Sequence, residues 1–192
     1  MYKAIVIGTS YGGLEALKVI LPKFGEGFPL PVIVVLHIGD QANENFLNYM
    51  NSLCQLQVKE VESNEKIQKG FIYFAPPNYH LLIESDFTFS LTTDGKHNFS
   101  RPSIDILFES AAWAYTKALI GVVLTGANSD GAAGLKIIKD FGGLTLIQSP
   151  CSALAPEMPS AALKIAKPEV TLNLEDIAGK LIELAGLGTD TK

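Results

Sequence analysis

The chain has 192 residues, of which 47% are hydrophobic and 18% are charged, and its formal net charge is -5 at pH 7. This length and apolar content predict a single domain, residues 1–192, with one well-formed core. Lys and Arg form no cluster, which excludes nucleic acid as a partner, because phosphate backbones require a basic face. The longest apolar stretches are far shorter than the roughly 20 residues of a membrane span, so direct membrane insertion is excluded too.

The first residues of the chain and its cysteines predict the cellular location of the protein. Ala4–Ile7 already has the character of a strand, which leaves no room for a signal peptide after Met1. Cys54 and Cys151 lie far apart without a C-x-x-C spacing, so they predict neither a disulfide framework nor a zinc site. We therefore expect a cytoplasmic protein with two free thiols.

The first part of the chain predicts strands and helices in alternation. Strands are expected at Lys3–Gly8 and Pro31–His37, and helices at Leu14–Leu21 and Ala42–Leu53. Within these strands, Ala4–Ile7 and Val32–Leu36 are continuously apolar, as strands covered on both faces are. The order predicts repeated βα units and an α/β fold with a doubly wound, mainly parallel sheet flanked by helices.

The pattern changes between Gln57 and Thr93. Three strand-like segments, Phe71–Ala75, Tyr79–Glu84 and Phe87–Thr92, follow one another without an intervening helix. Pro, Asn and Ser-Asp residues supply the turns between them. This segment predicts an antiparallel hairpin at one edge of the sheet, too short to be a separate domain.

Helices and buried strands return after this segment. Ser103–Lys117 predicts a helix with Ser103 as its N-cap, and Ala118–Thr125 predicts a buried strand. The last residues, Gly188–Lys192, are expected to be a frayed tail. The other expected elements are a helix at Gly131–Asp140, a strand at Leu144–Gln148, and helices at Pro159–Ala166 and Leu174–Leu187.

The first candidate for chemistry is Ser10. Residues 8–12, Gly-Thr-Ser-Tyr-Gly, match the G-x-S-x-G nucleophile pattern and lie between a predicted strand and a predicted helix. Such a turn brings the serine to the carboxyl edge of the sheet, where backbone N–H groups can stabilise an oxyanion. The alternatives are a phosphate-binding turn and an ordinary glycine-rich loop. The dinucleotide pattern G-x-G-x-x-G is excluded, because its middle position is Ser10.

A nucleophilic serine needs a base, and the chain has 3 histidines. His97 lies in a polar turn, where we expect it to be solvated, and His80 begins a hairpin strand, where a surface or edge position is expected. His37 ends a buried strand, and the carboxyl ends of parallel strands are where catalytic groups gather. His37 is therefore the predicted base, with a structural histidine at a strand end as the alternative.

Asp130 completes the predicted group. It follows the buried strand that ends at Thr125, and its alternative role is to cap the following helix. Ser10, His37 and Asp130 would thus lie at three strand ends of one sheet, which predicts a serine hydrolase. Their order along the chain differs from the Ser, Asp, His order of α/β-hydrolases and disfavours that fold.

Six parts of the chain carry a likeness to a known family: Ile7–Leu17, His37, Phe74–Leu82, Arg101–Asp105, Leu124–Leu135 and Met158–Ala162. With these segments, in this order, the sequence resembles the catalytic domain of the CheB chemoreceptor methylesterases. Under this resemblance Ser10 is the nucleophile, His37 the general base and acid, and Asp130 the residue that orients His37.

The resemblance implies a protein-glutamate methylesterase that hydrolyses glutamate γ-methyl esters, with deamidation of glutamines as a second activity. The implied partners are methylated chemoreceptor cytoplasmic domains or a similar methylated protein. The family commonly carries an N-terminal receiver domain, and this chain is expected to be a stand-alone form served by a separate phosphorelay regulator. The implied mechanism is acyl transfer, which needs no cofactor and no metal.

Three residues beside the predicted site depart from the family pattern. Tyr11 stands where the family usually has threonine, and Ala127 and Asn128 stand where it usually has methionine and glycine. Two alternatives to the enzyme stay open. Tyr11 and Ala127 are compatible with a catalytically weak or silent CheB-like interaction protein, and the Gly8–Gly13 turn is compatible with a small-ligand or phosphate-binding α/β module.

Overall fold

The structure is a computed structural model that describes residues 1–37 and 44–187. The strands are β1 (Ala4–Thr9), β2 (Val32–Leu36), β3 (Gln57–Glu60), β4 (Phe71–Phe74), β5 (His80–Ile83), β6 (Phe89–Thr92), β7 (Leu119–Val123), β8 (Leu144–Gln148) and β9 (Val170–Leu172). The helices are α1 (Gly13–Ile20), α2 (Glu44–Leu53), α3 (Ile104–Tyr115), α4 (Ala132–Asp140), α5 (Glu157–Ile165) and α6 (Leu174–Leu184).

Seven strands form one parallel sheet in the order β3-β4-β2-β1-β7-β8-β9. Every residue of β1, β2 and β7 is buried, which matches their continuous apolar sequences. The remaining two strands, β5 and β6, pair antiparallel as a separate sheet that packs on α3. The predicted fold class is therefore confirmed.

The core lies on both faces of the sheet because successive β1 side chains point in opposite directions. Ala4 and Val6 pack with residues of α3, α4 and α5. Ile5 and Ile7 pack with residues of α1, α2 and α6 on the other face. Helices on two faces of a parallel sheet define a doubly wound arrangement.

The structure differs from the sequence prediction between residues 57 and 93. Phe71–Phe74 does not continue the hairpin but pairs in parallel with β2 and β3 inside the main sheet. The strands β3 and β9 were not predicted. The connection from β3 to β4 contains no helix, so the usual sign of a parallel crossover is absent from the sequence.

Other predicted boundaries agree closely with the structure. Ser103 is the N-cap of α3, where its hydroxyl accepts the Ile106 N–H at 3.5 Å. Of the predicted helix 42–53, the part from Glu44 is α2, and Ala42 lies outside the described residues, as does the predicted tail 188–192. Cys54 and Cys151 are both free. Within the described ranges, no helix has the length and apolar composition needed to cross a membrane.

The centre of the sheet is where its connections change direction. The chain leaves β1 towards β2 on one side, whereas it leaves β7 towards β8 on the other. In open parallel sheets, ligands bind beyond the carboxyl ends of the strands at such a switch point. The loops that follow β1, β2 and β7 therefore meet where a site is expected.

Candidate active site

Backbone hydrogen bonds hold the ends of β1, β2 and β7 together. The His37 N–H donates to the Thr9 carbonyl at 3.1 Å, which fixes the end of β2 beside the end of β1. The Ser10 N–H donates to the Thr125 carbonyl at 3.0 Å, which fixes Ser10 beside the loop after β7. Ser10 and His37 are therefore brought side by side by sheet pairing, as the sequence predicted.

Two glycines make the turn after Ser10 possible. Gly12 has a φ of 78°, in the left-handed region that favours glycine, and the Gly13 N–H closes the turn onto the Ser10 carbonyl at 2.8 Å. In the loop after β7, a Cβ on Gly126 would lie 2.6 Å from Met158 Cε and 3.0 Å from Ser10 Cβ. The loop after β7 can approach the serine this closely only with glycine at position 126.

Gly126→Ala is expected to destabilise the protein and to displace Ser10. Overpacking of this kind costs about 1–3 kcal/mol, and a displacement of about 1 Å in a catalytic group can cost about 10² in turnover. Thermal unfolding and ester hydrolysis should be measured on one preparation. Gly27→Ala is the matched control, because no atom lies within 4 Å of its added Cβ. Equal behaviour of the two variants would contradict the close approach at Gly126.

Asp130 is fully buried and its carboxylate accepts four hydrogen bonds. Oδ1 accepts the Ser103 hydroxyl at 2.9 Å and the Asp105 and Gly131 N–H groups at 3.1 Å each. Oδ2 accepts the Ile104 N–H at 2.7 Å. Three of the four donors belong to the start of α3, so the carboxylate satisfies that helix N-terminus from across the loop. The alternative of Asp130 as a simple cap of α4 is wrong, since the N-cap there is Gly131.

His37 lies against the same carboxylate. Its Nε2 is 3.1 Å from Asp130 Oδ2, and its side chain is only 13% exposed. Nε2 has no aligned hydrogen-bond acceptor among the described residues, so attraction to the carboxylate, rather than a linear hydrogen bond, holds the pair together. Burial raises the pKa of Asp130, but His37 and the N–H groups of α3 outweigh burial and hold the pKa below its ordinary value. The carboxylate is therefore ionised beside the imidazole.

Ser10 is partly exposed, and its hydroxyl makes no hydrogen bond within residues 1–37 and 44–187. Its backbone is fixed on both sides, by the bond to the Thr125 carbonyl and by the Gly13 N–H. Catalytic hydrogen bonds are often loose without substrate and tighten in the complex, so an unpaired serine is compatible with a nucleophile. The described site thus contains a His37–Asp130 pair in contact and a partly exposed serine just beyond the end of the neighbouring strand.

His80 has a structural role that sequence reasoning missed. The expectation of a surface position is wrong, because His80 is fully buried, although it does lie on an edge strand of the two-stranded sheet. Its Nδ1 accepts the Ser103 N–H at 3.2 Å, and its Nε2 lies 3.1 Å from the Gly95 carbonyl. His80 thereby holds the start of α3, which in turn binds Asp130. His97, in contrast, is half-exposed as expected and lies 3.7 Å from Asp105.

Large apolar side chains are exposed near the serine. Tyr11, which directly follows Ser10, is 65% exposed, and Leu154 is 68% exposed. Leu154 lies against the turn that carries Tyr11, since Leu154 Cβ is 2.9 Å from the position that a Cβ on Gly12 would take. We call Tyr11 and Leu154 the apolar rim. Exposed apolar surface beside a candidate nucleophile is suited to contact with a protein substrate.

A comparison with family models matches residues 5–181 to the CheB methylesterase family. The chain belongs to the CheB methylesterase family. The crystal structure of the CheB methylesterase catalytic domain of Thermotoga maritima superposes with a TM-score of 0.91 and 32% identity, covering 96% of this chain and 99% of that one. The fold and the family given by the sequence resemblance are therefore both confirmed.

Two relatives in the CheB family differ in how much of their own length this chain covers. A Leptospira interrogans protein is 49% identical over 95% of both chains, and its provisional name is protein-glutamate methylesterase/protein-glutamine glutaminase. An Archaeoglobus fulgidus protein with the same name is 36% identical over 84% of this chain and 47% of its own length. The chain therefore matches nearly the whole of one CheB relative and about half of the other.

Proposed function

We propose that this chain is a protein-glutamate methylesterase in which Ser10, His37 and Asp130 form a catalytic triad. The observation that carries the proposal is the 3.1 Å contact between His37 Nε2 and the buried Asp130 carboxylate, next to the partly exposed Ser10. A buried ionised carboxylate against an imidazole is the arrangement that orients a general base. Membership of the CheB family gives the substrate class, glutamate γ-methyl esters.

The reaction proceeds in two acyl-transfer steps. Ser10 Oγ attacks the ester carbonyl carbon while its proton passes to His37, and the carbonyl π electrons move onto oxygen. The tetrahedral intermediate collapses, and methanol leaves with the proton from His37. Water then attacks the acyl-enzyme with His37 again as base, which frees the glutamate carboxylate and restores the Ser10 hydroxyl. Asp130 stabilises the imidazolium that forms twice in this cycle.

Backbone N–H groups are the proposed donors to the oxyanion. Among the described residues, neither the Tyr11 N–H nor the Ala127 N–H donates to a carbonyl. Tyr11 follows the nucleophile, and Ala127 follows Gly126, whose backbone lies against Ser10. Since the donors are backbone groups, the departures of Tyr11 and Ala127 from the family pattern leave them in place. The same geometry serves a glutamine side chain, from which ammonia would leave instead of methanol.

The proposed substrate is the methylated cytoplasmic part of a chemoreceptor, so the enzyme would act in the cytoplasm. The decisive test is incubation of the purified protein with methyl-esterified receptor fragments while released methanol is measured. Turnover well above that of a buffer control is expected. A second reaction with unmethylated receptor fragments tests glutamine deamidation through ammonia release. No methanol release above the control would contradict the proposed activity and favour a silent CheB-like protein.

The apolar rim is expected to bind the protein substrate. Tyr11→Ser and Leu154→Ser should each raise KM for the receptor fragment about five- to tenfold with little change in kcat, because exposed anchors contribute to binding but not to chemistry. The rate of labelling by a small fluorophosphonate should stay the same. Leu163→Ser on α5, which removes an exposed apolar side chain outside the rim, is the control. An unchanged KM in both rim variants would show that the substrate docks elsewhere.

A further inference from the structure

Asn128 is the one departure from the family pattern whose side chain touches the proposed catalytic group. Its Nδ2 lies 3.5 Å from His37 Nδ1, on the side of the imidazole away from Asp130. Its Oδ1 accepts the backbone N–H of Asp130 at 3.0 Å. The amide therefore connects the base to the backbone of the residue that orients it.

The second of these bonds determines which end of the amide faces the histidine. An Asn side chain has one acceptor end and one donor end. Because Asn128 Oδ1 is occupied by the Asp130 N–H, the NH₂ group must point at His37 Nδ1. A donor at that position is favourable only when Nδ1 carries a lone pair, and in the neutral ring the proton then resides on Nε2.

The carboxylate favours the same arrangement from the opposite side. Nε2 is 3.1 Å from Asp130 Oδ2, where an N–H is attracted and a lone pair would be repelled. The contacts thus form a circuit from the Asp130 N–H through Asn128 and His37 back to the Asp130 carboxylate. Donor and acceptor alternate along the whole circuit, and reversal of the His37 tautomer would place like groups together at both nitrogens.

We propose that Asn128 is a positioning residue that selects the Nε2–H tautomer of His37 and reserves Nδ1 as the nitrogen that receives the Ser10 proton. The proposal rests on the proposed function for the role of His37 as base. At 3.5 Å the amide contact is long and weak, so it can yield to the substrate-bound serine. Once Nδ1 is protonated, two donors face each other, and the contact with Asn128 must open.

Asn128→Asp is the sharpest variant, because it has the same shape and keeps an acceptor for the Asp130 N–H. It replaces the donor that faces Nδ1 with an anion, which stabilises a proton on Nδ1. We expect the acidic limb of the pH profile of kcat/KM to move to higher pH by about one unit. On that limb, kcat/KM of the variant should be about tenfold lower than that of wild type at the same pH. Ser129→Asp adds the same charge to the same loop on an exposed residue and should leave the limb in place.

The other titratable groups near His37 in the described part of the chain are few. Asp130 is in contact with the ring, and Asp105 faces Asp130 from α3. His97 lies 3.7 Å from Asp105 on its exposed side. All three are unchanged in both variants, so a difference between Asn128→Asp and Ser129→Asp comes from the group that faces Nδ1.

Nitrogen NMR of the imidazole rings reports the His37 tautomer directly and needs no substrate. Spectra of ¹⁵N-labelled wild type, with His37 assigned by comparison with His37→Gln, should show neutral His37 protonated at Nε2. In Asn128→Asp the proton should move to Nδ1 or stay on both nitrogens to higher pH. Wild-type His37 protonated at Nδ1, or an unchanged ring in Asn128→Asp, would overturn the role of Asn128. Absence of methanol release in a protein with the expected tautomer would count against the proposed function alone.

Discussion

Ser10→Ala is expected to lower methanol release by about 10⁵ to 10⁶, because the acyl-enzyme cannot form without the hydroxyl. The fold should be unaffected. The Ser10 hydroxyl makes no hydrogen bond within residues 1–37 and 44–187, so its loss leaves no buried group unpaired. In this variant turnover should therefore fall while the unfolding temperature stays at the wild-type value. Both should be measured on one preparation.

Covalent labelling gives an independent measure of the same residue. A fluorophosphonate should add to wild type at one site and fail to add to Ser10→Ala, as intact-mass spectrometry will show. Ser129→Ala is the control, since Ser129 lies exposed on the loop of the same site. It should label as fast as wild type. Equal labelling of Ser10→Ala and wild type would rule out Ser10 as the nucleophile, whatever the turnover.

The central strands could be predicted from the sequence because burial on both faces leaves an unmistakable pattern. All residues of Val32–Leu36 are buried, and the sequence there is apolar without a break. Gln57–Glu60 and Val170–Leu172 have only one buried residue between them. These edge strands are defined by pairing with a neighbour rather than by their own periodicity, and the sequence therefore does not reveal them.

The candidate site could be predicted in position but not in detail. Parallel strands end at one edge, so Ser10, His37 and Asp130 had to lie near one another once the three strands were recognised. The contacts of Asp130 with α3 join residues 25 to 27 positions apart and depend on how α3 packs. The buried position of His80 depends on the same packing, which explains why a surface position was expected instead.

Asp130→Asn is expected to lower turnover by about 10⁴, the effect of the same change in a serine protease triad. The amide cannot stabilise the imidazolium of His37. It is also expected to lower stability, because an Asn has one acceptor oxygen where the carboxylate accepts from Ser103, Ile104 and Asp105. A buried donor left unpaired costs about 1–3 kcal/mol.

The pH dependence of unfolding identifies how much of the stability lost in Asp130→Asn comes from the charge of the carboxylate. Burial opposes ionisation, but His37 and the α3 N–H groups hold the pKa of Asp130 below its ordinary value. The ionised form therefore contributes stability above the unfolded pKa of about 3.9, and this stability is lost as pH falls through the folded value. We expect the free energy of unfolding of wild type to fall more steeply towards acid than that of Asp130→Asn, so that the two converge at low pH.

Asp105→Asn is the control that separates the catalytic effect of Asp130→Asn from its effect on stability. Asp105 is also a buried carboxylate, in the first turn of α3, and it accepts the Gly134 N–H at 2.7 Å. Burial and the charge of Asp130 raise the pKa of Asp105, so a neutral side chain is tolerated better there. We expect Asp105→Asn to keep near-normal turnover with a smaller loss of stability.

Turnover of Asp130→Asn and Asp105→Asn should be measured below their unfolding transitions. If Asp130→Asn hydrolyses the methyl ester as fast as Asp105→Asn while folded, Asp130 only holds α3 and takes no part in the triad.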